Sequence, residues 1–420
     1  MHHYFLRGRA LLLGQFLFLM LLWMISYSQR HLLAQAATAN TTTQTEVAAK
    51  QGQSPPQITF WYGDEQPFGQ WGNPTPWVNV LGNVTSTVGI STVVYTLNGG
   101  VSQQLSLGPD TQRLAEAGDF NIELAIADLH AGANPVMVTA IDTNDLRATA
   151  TMTVNYTAGQ VWPLPDTADW NAAATIHAVA PVVDGQWTKE GATIRPLVFE
   201  YDRLISIGDL SWQSYEAVVP VTIHDIDEEG YDFPSSGPGV GILMRWQGHF
   251  QEGAEQPRVG WRNLGGLGWF RWELDGNGNP LPHGQLLGYN GVQITTNYQL
   301  VPALELPYLM RMQVETVANG GDWYRYKVWP AAQTEPTEWQ MAGQGYAGEP
   351  EHGSLLLVAH EADASFGPVE ICPLTAGGDN SFHPTINIVG DGEVSLTPNR
   401  TRYRCGESVT LTATPAADWR

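Results

Sequence analysis

A chain of 420 residues with a formal net charge of −22 has room for two or three domains, and its charge argues against nucleic acid or an anionic membrane surface as a partner. Forty-four glycines, 27 prolines and no long run of apolar residues at helical spacing after residue 40 favour strands and turns over helices. The two cysteines, Cys372 and Cys405, are too few for a disulfide framework, leave one bridge open, and form no zinc-binding spacing with histidine.

The first 36 residues carry the parts of a secretory signal in order. Arg7 and Arg9 are followed by an almost wholly apolar run from Ala10 to Ile25, then by the small-x-small triplet Ala34-Gln35-Ala36. The run is shorter than the ~20 residues that span a bilayer. The expectation is an extracellular protein, secreted or on the cell surface, with no membrane contact beyond this signal. Residues 37–56 are Ala, Thr, Gln and Pro without periodicity and read as a linker.

From residue 57 to 158 short alternating runs are separated by turn residues. Val93 to Leu97 runs into Asn98-Gly99-Gly100, a hairpin signal, and Phe120 to Leu124 alternates as a half-buried strand should. Val136 to Ala140 and Ala148 to Tyr156 flank the turn Asp142-Thr143-Asn144-Asp145. About seven strands in about 100 residues suit a sandwich. With Gly132 to Asn134 placed before the last two strands, the segment resembles bacterial extracellular immunoglobulin-like modules, which implies a spacer or adhesive unit.

Residues 159–375 hold eleven of the sixteen tryptophans. Tyr215–Ile223, Gly239–Trp246, Leu309–Glu315, Trp323–Trp329 and Ser354–Ala359 read as strands of a large two-sheet sandwich. Period two places Arg245, Gln247 and His249 on one side and Trp246 with Met244 and Ile242 on the core side. Planar polar groups of that kind, with rings from Trp261, Trp269, Trp272 and Tyr289, form a candidate carbohydrate-binding face. Asp225, Asp227, Glu229 and Asp232 follow the ligand spacing of a calcium loop around Gly230, although Ser236 stands where a bidentate Glu would close it. Asp275-Gly276-Asn277-Gly278-Asn279 reads as a hairpin turn. Tyr201-Asp202-Arg203 reads as an Asp–Arg pair fixing a loop.

The order Met244-Arg245-Trp246, Arg311 to Glu315, Tyr324-Arg325-Tyr326-Lys327-Val328-Trp329, Glu338-Trp339, Gly353 to Leu357 and Ala364 to Val369 resembles the concanavalin A-like lectin/glucanase superfamily, especially its laminin G-like branch. That resemblance implies a jelly-roll that presents one sheet to carbohydrate. Gly367 and Pro368 replace the Asp-Asn of relatives whose Asp can help hold calcium. A retaining glucanase on this fold needs two carboxylates roughly 5 Å apart. Glu361-Ala362-Asp363 supplies the start of the usual Glu-x-Asp-x-x-Glu pattern, but Phe366 stands in place of the second Glu.

After a linker at 376–384, residues 385–420 carry Gly390-Asp391-Gly392-Glu393-Val394 and Gly406 to Pro415, which resemble an internalin-type B-repeat of bacterial surface proteins. The chain stops at Trp419-Arg420, before the aromatic and Trp-x-Gly segment of relatives. It therefore reads as a partial repeat, and about 35 residues bury little core alone. The fold expected is all-β: an immunoglobulin-like sandwich, a concanavalin A-like jelly-roll, then a partial β repeat. The function these features imply is non-catalytic binding of a polysaccharide or surface glycan, with calcium as a conceivable cofactor. A divergent glycoside hydrolase or lyase, and a structural spacer or adhesin, stand as alternatives.

Overall fold

The computed structural model describes residues 54–250, 256–259, 265–318, 320–375, 377–378 and 380–417. The signal expected over 1–36, most of the linker and Trp261 lie outside them. The described chain is all-β, with three short 3-10 turns and no α-helix. No described helix is long and apolar enough to cross a membrane.

The N-terminal part is a two-sheet sandwich. Gln57–Phe60, Trp77–Thr85 and Asp119–Ala125 form one antiparallel sheet. The other runs Glu65–Phe68, Arg147–Tyr156, Gly132–Asp142, Ile90–Leu97 and Gln103–Gln104, with the first pair parallel. The turn expected at Asn98-Gly99 forms: both residues take positive φ, 55° and 68°, Gly100 donates to the Leu97 carbonyl at 2.9 Å, and the chain pairs back through Gln103–Gln104. Asp142 caps its turn by accepting from the Asn144 and Leu146 amides at 2.8 and 2.9 Å. Alternate residues of both sheets, among them Phe60, Val78, Phe120, Ile122, Val138 and Val154, fill the space between them.

The central part is a larger sandwich. Its front sheet has the order Val182–Asp184, Arg203–Ile207, Ser354–His360, Gly239–Trp246, Gly266–Leu274, Pro280–Leu287 and Gln293–Asn297. Its back sheet runs Trp187–Glu190, Thr193–Pro196, Ala362–Phe366, Tyr215–Ile226, Pro307–Glu315, Trp323–Pro330 and Met341–Gln344. The strands read from alternation lie in these two sheets. Ile205, Ile242, Leu357 and Phe270 of the front sheet meet Val219, Ala364, Met312 and Tyr324 of the back sheet in one core. Each fully buried aliphatic or aromatic side chain there contributes ~1.5–3 kcal/mol through lost contact with water. Glu361, at φ +48°, is the corner at which the chain leaves the front sheet and enters the back one.

Polar groups join the two sandwiches. Arg113 reaches from the N-terminal one to Asp184 at 2.6 Å and to Glu123 at 2.7 Å, and all three are buried. Asn121 donates to Val183 O at 2.9 Å and to Asp184 at 3.1 Å. Burial pushes the Asp184 carboxyl upward, against the pull of Arg113. Removing the arginine would leave Asp184 buried without its ion-pair partner and Glu123 with Arg258 alone, at 3.1 Å. Arg113→Ala should therefore lower stability by about 3–5 kcal/mol in urea denaturation; a change within experimental error would show the network to be dispensable.

At the C-terminal end, Cys372 and Cys405 form a disulfide that ties the last segment to Val369–Pro373, a back-sheet strand held between Tyr215–Ile226 and Asp166–Ala168. That segment is two short ladders, Ser381–Phe382 with Tyr403–Arg404 and Gly392–Thr397 with Thr410–Pro415. It leaves Val389 and Leu411 exposed. The bridge supplies the tether that so small a buried surface does not.

Candidate functional site

A groove of about 490 Å³ lies on the outer face of the front sheet. Its floor is built by period two. On Gly266–Leu274, the residues Leu267, Trp269, Arg271 and Glu273 face the groove, while Phe270 and Trp272 point into the main core. Leu243, Val358, His360, Gln285 and Leu287 enter from neighbouring strands. Tyr201, Asp202, Pro234 and Ser236 close one side, and Gly291 and Gln293 the other.

Trp269 is the floor's central element. Its neighbours on the adjacent strand are Gly239 and Gly241, and a Cβ at Gly239 would lie 2.4 Å from the ring. Only glycine there lets the indole lie down on the sheet. Its Nε1 donates to Gln285 Oε1 at 2.9 Å, and Gln285 Nε2 donates in turn to Glu273 at 3.2 Å. The Arg271 guanidinium stands 4.6 Å from the ring centroid. It donates to the Gly237 carbonyl and, at 2.5 Å, to Ser236 Oγ. Burial lowers Arg271 to about 10, so the group stays charged at neutral pH.

His360 forms the groove's polar edge. Its Nδ1 lies 2.7 Å from Asp202 Oδ1 and its Nε2 lies 2.9 Å from Ser235 Oγ. Ser235 also donates to Gly230 O at 2.7 Å and accepts from the Gly237 amide at 3.1 Å. The imidazole packs edge-on against Tyr201, with 4.7 Å between centroids. Asp202 thus serves His360 rather than the neighbouring Arg203, whose Nη1 takes the Asp202 carbonyl at 2.9 Å instead.

The face expected around Arg245 is not the groove. The ladder slips between Met244 and Trp246, and Arg245 sits at φ +67°, so alternation breaks there. Arg245 turns inward, fully buried, onto Asp322 at 2.7 Å, Thr316 Oγ1 at 2.6 Å and the Trp212 and Glu351 carbonyls. Trp246 is buried, as expected, but in the smaller cluster on the outer side of the sheet. Gln247 donates to the His352 carbonyl at 2.9 Å. His249 is buried beside Trp246 and 3.6 Å from Asp184, under the N-terminal sandwich. Trp272 belongs to the core. Tyr289 opens the turn Tyr289–Gly291, of which Gly291 lines the groove. Of the described residues expected at a sugar face, Trp269 is the one that lines the groove.

The calcium loop is corrected as well. Among the described residues, no three His, Cys, Asp or Glu side chains are grouped to hold a metal ion. Asp227 accepts from the Glu229 amide at 2.9 Å, Asp225 accepts from Ile226 at 3.0 Å, and Glu229 and Asp232 are exposed. Asp225 sits within a strand opposite Asp363, whereas Asp227, Glu229 and Asp232 lie beyond the strand's end at Ile226, so the four do not share one loop. Asp363, the acid considered for hydrolysis, is locked in the fork of Arg195 at 2.6 and 2.5 Å on the back sheet.

A second groove of about 360 Å³ crosses the outer face of the back sheet beside Trp329, Arg311, Glu335 and Glu370. Its Arg311 is already paired with Glu216 at 2.7 Å and Glu335 at 3.1 Å. Arg271 in the front groove, by contrast, donates to a carbonyl and a hydroxyl.

Glu361, at the corner just after His360, is raised to about 8 by burial, with Glu200 and Asp227 adding repulsion against the pull of Arg203. Between pH 4.5 and about 8 the folded chain holds a proton that the unfolded chain has lost, so this group's stability contribution falls as pH rises through that window. Glu361→Gln should leave the Tm at pH 5 nearly unchanged and raise it at pH 9. Equal shifts at both pH values would contradict the assignment.

No family model matches the chain, and no curated protein matches it. Among solved structures it is similar to alginate lyase Aly36B, at 11% identity over 50% of this chain and 98% of that one, with a TM-score of 0.31. It is similar also to the Ca2+-bound exoplasmic/lumenal domain of VIP36, at 9% identity over 53% and 97%, with a TM-score of 0.32. A third likeness is to the marine PL-14 alginate lyase from Aplysia kurodai, at 10% identity over 47% and 88%, with a TM-score of 0.26. Scores this low carry no argument about function, which rests on the groove's own residues.

Proposed function

We propose that this chain is an extracellular modular protein whose central sandwich, of the concanavalin A-like kind, binds a glycan in the front-sheet groove. The observation that carries this reading is Trp269. An indole laid over Gly239, its edge fixed by Gln285 and part of it open at the groove floor, offers a surface for the C–H face of a sugar ring. Around it stand the planar polar groups that a sugar's hydroxyls need: Arg271, Gln293, Asp202 and His360. Most of them are held by other side chains or backbone groups, so little ordering entropy is lost on binding. The N-terminal sandwich, immunoglobulin-like in this reading, and the C-terminal repeat hold the domain at the surface and contribute no ligand contact.

A second reading is favoured by one observation. His360 lines the groove with Nδ1 on Asp202 and Nε2 on Ser235, so a ligand that displaced the Ser235 contact would meet an imidazole already oriented by a carboxylate. New reducing ends or unsaturated products from a bound polysaccharide, lost in His360→Ala, would make the protein an enzyme.

Binding is tested by a glycan array with the full chain. Trp269→Ala should weaken capture of the best ligand by about tenfold or more, ~1.4 kcal/mol, when compared at a temperature where both chains are folded, since loss of a buried ring also lowers the Tm. A folded chain that captures no glycan would overturn the reading.

A further inference from the structure

The groove contains a cation that forms no direct ion pair among the described residues. Arg113, Arg195, Arg245, Arg258, Arg311 and Arg325 each lie within 4.0 Å of a carboxylate. Arg271 is 3% exposed, and among the described residues no carboxylate comes that close to it. Its two recorded hydrogen bonds go to a backbone carbonyl and a serine hydroxyl, both neutral. They occupy two of the five N–H donors that a guanidinium carries. Glu273 and Asp202 favour the charge through space, yet neither forms an ion pair with it, and a buried charge left without one is costly. The nearest acid on the same strand face, Glu273, is drawn aside by Gln285 at 3.2 Å and faces His283 at 3.7 Å. The other groove carboxylate, Asp202, is taken by His360.

We infer that the groove selects an anionic glycan, with Arg271 receiving a carboxylate or sulfate group of a sugar that stacks on Trp269. The inference rests on the glycan-binding reading and names its substrate class. The guanidinium and the indole adjoin at 4.6 Å, so one sugar residue can offer its ring face to Trp269 and an exocyclic anion to Arg271. The chain's charge of −22 offers a polyanion no long-range attraction. Selectivity then comes from this local pair, and it is directional: the fork orients the planar anion while the ring fixes the sugar.

The test uses the full chain in calorimetric titration with three hexasaccharides: oligogalacturonate, its carboxyl-reduced neutral counterpart, and a sulfated neutral oligomer. The expected result is binding of at least one charged oligomer roughly tenfold tighter than the neutral one, the scale of one charge-assisted pair. The two charged arms decide between carboxylate and sulfate. Arg271→Gln should remove that preference, the charged oligomer losing about tenfold more affinity than the neutral one. Because Arg271 is buried, a second variant at the rim, Glu273→Gln, keeps the test independent of folding. Removing the competing carboxylate should tighten the charged oligomer about twofold to fivefold relative to the neutral one. Equal affinity for charged and neutral oligomers, or a Glu273→Gln variant without effect on either, would overturn the anionic assignment while glycan binding stood. No binding of any of the three by the folded chain would remove glycan binding itself.

Discussion

A β-strand sends successive side chains to opposite faces, and the strand Gly266–Leu274 uses that rule to build two things at once. Its inward residues are Gly266, Gly268, Phe270 and Trp272, and its outward ones are Leu267, Trp269, Arg271 and Glu273. The inward glycines admit Tyr324 and Tyr326 of the back sheet, whose rings would lie 2.2 and 2.4 Å from a Cβ there. The outward glycines of the neighbouring strand, Gly239 and Gly241, do the same for Trp269. The core and the groove floor are therefore fixed by one parity, and a one-residue slip would exchange them.

The rest of the molecule supports that arrangement. The buried Arg113–Asp184 contact and the carbonyl of Val183 join the N-terminal sandwich to the front sheet's edge. The disulfide at Cys372 anchors the C-terminal segment to the opposite sheet. The corner at Glu361 carries the chain between sheets immediately after His360. That corner gathers Glu200, Asp227 and Glu361, and the resulting repulsion and burial push a carboxyl toward neutrality beside the groove.

Much of this was legible in the chain. Alternation located the strands of both sandwiches, and Asn98-Gly99 announced its turn. The candidate site was less legible, for a physical reason. Parity was anchored on Gly239–Trp246, where a bulge at Arg245 reverses it. A positive φ is unusual for arginine, and the slip is fixed by the buried acceptors waiting for its guanidinium, which come from segments up to 106 residues away. Trp269 and Trp272 looked equivalent as candidate rings. They are an odd number of residues apart on one strand, so one had to face the core, and that much could have been read. The link from Asp202 to His360 spans 158 residues and depends on the tertiary fold alone. The acidic spacing from Asp225 to Asp232 suggested calcium because spacing is blind to whether the backbone is a loop or a strand.

The central claim is that the outer face of the front sheet, at Trp269, is the ligand site. The most direct measurement is a crystal structure of the chain soaked with the tightest oligosaccharide found by titration. The account predicts a sugar ring stacked on Trp269 at van der Waals distance, with an exocyclic anion in the fork of Arg271. Sugar density over Trp329 on the back sheet, with the front groove empty at saturating ligand, would contradict it.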